Sequence, residues 1–143
     1  MREKALNLLG LMRRAGAVEI GEASCGAAVK GGKGKLLLVA QDASANTKKR
    51  AETFVYGRRT ILAELPFTKE EVSQRLGIGC SMLAVTDLGF ANALMKALSA
   101  YMPESYGELS LELERRYEKA VRRKAEKHGS DRNKSIGKRR TNT

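Results

Sequence analysis

Few side chains in this sequence could do covalent or acid–base chemistry. They are Cys25, Cys80, the single His128, and the carboxylates Asp42, Glu64 and Asp87. A cysteine nucleophile needs a base, usually histidine, and His128 stands in a polar stretch far from both thiols. None of the three carboxylates has a sequence neighbour with which to divide acid and base roles. Asp42 (or Ser44) and Asp87 stand where they would cap helices. Two cysteines and one histidine also fall short of the roughly four ligands of a structural zinc centre. The residues therefore point to a non-catalytic chain with no cofactor and no metal.

Glycine and lysine suggest phosphate chemistry instead. Residues 31–35 read GGKGK. A phosphate loop, however, follows a strand and opens a helix, so that helix N–H groups face the phosphate. Here the glycines follow a predicted helix and precede a predicted strand. They read as a helix stop and a basic turn. Cations recur at other turns: Arg13 and Arg14, Lys30, Lys33 and Lys35, Lys48 to Arg50, then Arg58 and Arg59. Arg13, Arg14, Lys30 and Lys33 are candidate contacts for a polyanion. The formal net charge of +11 makes phosphate backbones the first partner to consider.

These residues need elements to position them. Residues 3–15 predict an amphipathic helix, with Leu6, Leu9 and Met12 on one stripe and Gly16 as its stop. Arg13 and Arg14 interrupt the apolar run, so this stretch reads as a helix and not as a secretion signal. Residues 18–20 predict a short strand. Residues 22–31 predict a helix of small residues able to approach a neighbour closely. The run LLLVA at 36–40 predicts a strand buried on both faces. Helices follow over 45–56, 69–76 (opened by a Thr68–Glu71 capping box) and 88–100. Strands fall at 60–65 and 82–86. Such alternation implies one α/β domain, a central sheet with helices on both faces.

The character then changes. The residues divide into a domain over 1–101, a linker over 102–107, a charged helix over 108–127 and a disordered basic tail over 128–143. Leu109, Leu113, Tyr117 and Val121 form a narrow stripe on that helix. Residues 1–107 carry 15 Lys and Arg against 10 Asp and Glu, and residues 108–143 carry 12 against 6. One quarter of the chain thus holds half of the net charge. No apolar run approaches the roughly 18 residues a membrane span requires. Unpatterned cysteines predict reduced, buried thiols and a cytoplasmic protein.

Three stretches carry a resemblance: ALNLLGLMRRAGAVEIGE, AAVKGGKGKLLLVAQDASANTKKR and LAVTDLGFANAL. They resemble the kink-turn-binding ribosomal-protein superfamily, L-seven-Ae/L-thirty-e, across about residues 3–98, nearest to its small bacterial members. The resemblance implies a three-layer α/β/α sandwich with a four-stranded mixed sheet. It implies a partner that is a structured RNA, ribosomal or otherwise non-coding, bound at a kink-turn or related internal loop. It implies two contact surfaces: Gly21, Glu22, Ala23, Ser24 and Ala27, then Ile78, Gly79, Cys80 and Ser81. Kink-turn binders look like Gly-x-Asn-Glu-x-x-Lys at the first surface, and only Gly21 matches. Each missing bidentate base contact removes about 1–3 kcal/mol of discrimination. The expectation is an RNA-binding ribosomal-type protein of degenerate specificity, with a ribosome or ribonucleoprotein as its setting and translation as its process. The alternative is a protein-interaction module docking through the C-terminal helix.

Overall fold

The run Leu36–Val39 (β2) is buried along its whole length, and its residues alternate between two cores. Leu36 and Leu38 face one layer of helices, Leu37 and Val39 the other. That alternation is why the strand carries no polar residue: both faces of the sheet are covered. In the computed structural model, the backbone is described for residues 2–142 and the side chains for residues 2–126.

The chain order is α1 (Arg2–Arg14), β1 (Val18–Ile20), α2 (Glu22–Lys30), β2, α3 (Ala45–Val55), β3 (Ile61–Glu64), α4 (Lys69–Leu76), β4 (Met82–Val85), α5 (Leu88–Tyr101) and α6 (Pro103–Asn142). The four strands form one mixed sheet in the order β1-β4-β2-β3. β4 is antiparallel to both β1 and β2, and β2 is parallel to β3. Helices α1, α4 and α5 cover one face, with Leu9, Met12, Phe67, Leu94 and Leu98 in its core. Helices α2 and α3 cover the other, over Cys25, Val29 and Ala51. This is the expected three-layer α/β/α sandwich with a four-stranded mixed sheet and a C-terminal helix.

The caps explain where the helices start. The Ser44 hydroxyl accepts from the Thr47 N–H at 3.1 Å and opens α3. Asp87 accepts from the Phe90 N–H at 2.9 Å and opens α5. Thr68 and Glu71 form the expected capping box on α4. Arg2 holds the Glu71 carboxyl below its usual range, and the Thr68 bonds add to this. Asp42 corrects its expected role. Its Oδ1 accepts from the Lys69 N–H at 2.7 Å, so it serves the start of α4 across 27 residues rather than α3. The small residues of α2 do permit close approach: a Cβ on Gly26 would lie 2.9 Å from the Phe54 ring of α3.

The largest difference lies after Tyr101. The expected linker over 102–107 reduces to Met102, because α6 already begins at Pro103. Proline is favoured in a first helical turn, where its missing N–H costs nothing. Helix α6 lies along α5 and buries Tyr106, Ser110 and Leu113. The Tyr106 hydroxyl donates to the Glu64 carbonyl, which ties α6 to the edge strand β3. The expected basic tail, 128–143, lies outside the residues whose side chains are described. Among the described residues no helix is long and apolar enough to cross a membrane.

Candidate nucleic-acid interface

One hydrogen bond joins the two sequence-separated surfaces. The Gly21 N–H donates to the carbonyl of Met82, the first residue of β4, at 3.1 Å. The turn into α2 therefore lies beside the chain that enters β4 from the 77–81 loop. The Ala40 N–H donates to the Ser81 carbonyl at 2.9 Å, which fixes the other side of that entry.

Gly21 opens α2 with φ 93° and makes no side-chain cap. Only glycine takes that conformation without strain. Helix α2 thus starts with N–H groups that no side chain satisfies, and these favour an anion. Ala23 and Ser24 are exposed there, and Ala27 follows on the same stripe. Glu22 would repel a phosphate, but Arg50 of α3 reaches its carboxylate at 3.2 Å. The sequence shows Arg50 among the turn cations but gives it no place among the candidate contacts. Only its placement one helix away from Glu22 shows its role.

The second surface is split. Ile78 and Gly79 are exposed, and Ser81 is half-buried. Cys80 is 5% exposed. Its N–H donates to the Ser73 hydroxyl at 3.0 Å, and its carbonyl accepts from that hydroxyl at 3.3 Å. Cys80 therefore anchors the loop to α4 and offers no side chain to a ligand. Gly77 ends α4 in the left-handed region, φ 75°. Arg13 donates to the Leu76 carbonyl beside it, so its cation stands at the root of the loop. Arg14 is exposed next to Gly10.

Lys30 and Lys33 do not join this face. They follow the far end of α2, where the Lys35 N–H donates to Val85, the last residue of β4. Met82 and Val85 are three strand steps apart, about 10 Å. Both cysteines are buried and free, as the residues suggested. Burial pushes the Cys25 thiol up to about 12 and raises Cys80 as well. Half of the apolar stripe of α6 is spent on this chain itself: Leu113 is fully buried and Leu109 packs against the same core, while Tyr117 and Val121 are exposed.

Fold and edge together define a three-layer α/β/α domain with a mixed four-stranded sheet, the architecture that the L-seven-Ae resemblance implied. The sequence is 36% identical over 94 residues to the RNA-binding protein YlxQ of Enterococcus faecium, across 63% of this chain and 86% of that one. The chain belongs to the YlxQ family. No family model matches it. A protein of unknown function from Bacillus halodurans C has a similar structure, with TM-score 0.60 and 27% identity over 64% of this chain and 92% of that one. The 15.5kD RNA binding protein of Giardia lamblia shares the fold at TM-score 0.54 and 14% identity, over 66% of this chain and 81% of its own.

Proposed function

We propose that this chain binds structured RNA without catalysis, seating a backbone phosphate on the start of α2 and packing the adjoining turn against the 77–81 loop. The observation that carries this is the junction at Gly21: an uncapped helix start hydrogen-bonded to the strand that the glycine loop enters. The naming of the Enterococcus faecium relative as an RNA-binding protein supports it. The RNA class is a kink-turn or related internal loop of ribosomal or other non-coding RNA, reached as a free protein or within a ribonucleoprotein. Ala23 and Ala27 offer no hydrogen-bonding side chain and Ser24 only a hydroxyl, so no bidentate purine contact is available and shape and phosphate position carry the recognition. We assign this contact to residues 1–101, and to the basic tail 128–143 a sequence-independent addition. Buried, reduced thiols suit a cytoplasmic setting.

Ser24→Asp tests the reading. A carboxylate in the first turn stabilises a helix by about 0.3–1 kcal/mol, so the variant should melt no earlier than the parent. The same charge repels a bound phosphate. Gel shifts on a kink-turn RNA and a straight duplex of equal length should show a kink-turn preference, and at least tenfold weaker kink-turn binding for Ser24→Asp. No binding at low salt, or an unchanged affinity in the variant, overturns it.

A further inference from the structure

We propose a second RNA contact on the opposite end of the sheet, where a single strand would lay a base on Tyr56 and its phosphates in a basic cleft beneath α6. The proposal takes from the preceding reading only that the ligand is RNA. It uses a different set of residues.

The cleft has a volume of about 540 Å³ and lies between the turns around Gly34 and Arg58 and the underside of α6. Lys35, Arg58, Arg59, Arg116, Lys119 and Arg123 line it, and among the described residues no carboxylate does. Arg116 is paired with Glu112 at 2.7 Å; the other five cations around the hollow repel one another, and an anion relieves that repulsion. The hollow is also held open by specific bonds. Arg116 donates to the Arg59 carbonyl at 2.7 Å and to Glu112 at 2.7 Å, fastening α6 over the turn. Arg58 donates to the Lys30 carbonyl at 3.1 Å, and Thr60 donates to the Gly34 carbonyl at 2.7 Å. Gly32 and Gly57 border it with open space where side chains would stand, which permits close approach.

A second hollow of about 390 Å³ shares Arg58 and runs between α2 and α3. Glu22, Ala23 and Ala27 line one stretch of it, and Lys30 and Tyr56 line the other. It therefore connects the start of α2 with the basic cleft, about 13 Å along the helix. Tyr56 is 88% exposed. An aromatic ring so exposed, between cations, is a stacking platform for an unpaired base. This favours a single strand of RNA over an acidic peptide, which offers charge but no planar faces. A free phosphate would use the cleft and ignore the ring.

The full chain should be titrated with a 12-nucleotide oligouridylate while backbone amide shifts are followed. Shifts are expected at residues 32–35, 56–60 and 116–123. Tyr56→Ala should weaken binding about tenfold, with Tyr56→Phe near the parent. The triple variant Arg59→Gln, Lys119→Gln, Arg123→Gln changes exposed side chains and spares the bonds of Arg58 and Arg116. It should lower the slope of log affinity on log salt by about 2. Ser24→Asp should leave this titration intact, so failure of the α2 contact and failure of this one are separable. Shifts confined to 21–24 and 77–81, unchanged binding in both variants, or equal competition by an oligoglutamate would overturn the proposal. Equal binding by Tyr56→Ala alone would reduce the site to a phosphate cleft and overturn the base contact.

Discussion

Cys25 is completely buried, and its thiol lies 3.5 Å from the Glu19 carbonyl. Burial first, then nearby Cys80 and carboxylates, push it from 9.0 up to about 12. Tyr106 is raised from 10.0 to about 12, by burial and then by Glu64. Both groups bind their protons more tightly folded than unfolded. Their contribution to stability is therefore complete below about pH 9 and is lost as pH rises toward 12. Each unit in that window removes at most about 1.4 kcal/mol per group. Urea midpoints should hold steady to pH 9 and then fall, and Cys25→Ala should flatten the first part of the fall. A level profile to pH 11 would contradict the burial. The sequence made these thiols legible as buried, because nothing near them patterned for pairing or metal. It did not reveal that Cys80 is lost to the contact surface. That depends on Ser73, seven residues back and one helical layer away.

At the scale of elements, the alternation of apolar runs exposed every strand and helix of the sandwich to within a residue or two. Local signals decide such boundaries, and the signals here were strong: a buried β2, a capping box, glycine stops. Helix α6 was harder to read. Pro103 and Gly107 look like loop residues, yet proline suits a helix start, and Gly107 stands inside α6 beside Ser99 of α5, where even a Cβ would meet the serine only at 3.9 Å. The stripe Leu109–Leu113–Tyr117–Val121 was visible, but its true burial turns on Tyr106, Ser110 and Leu113. Helix α6 is thus part of the folded unit over its first turns. Leu113→Ala should cost about 2–5 kcal/mol, as a deleted core side chain does. Val121→Ala, at a position 47% exposed, should stay within about 0.5 kcal/mol of the parent. Urea unfolding of both variants checks the contrast, and equal values would mean that α6 is not docked.

For the whole molecule, sequence could count cations but could not sort them by end. Lys30 and Gly21 are nine residues apart and stand at opposite ends of α2, while Gly21 meets Met82 across the sheet. Only the strand order supplies that. The same sorting decides how to test the basic C-terminal segment. Removing all of 108–143 would strip Leu113 and Ser110 from α5 and uncover its core, so any loss of binding would be a loss of fold. Ending the chain after Glu126 leaves those contacts in place and removes six Lys and Arg against one Asp. The melting temperature should then barely move. If about five of those cations engage a duplex, the log–log salt slope should become shallower by about 4 to 5. Phosphate contacts carry no sequence information, so the ratio of kink-turn to duplex affinity should hold or rise as total affinity falls. An unchanged slope would confine binding to the domain. A falling ratio would show that the segment reads RNA structure rather than charge alone.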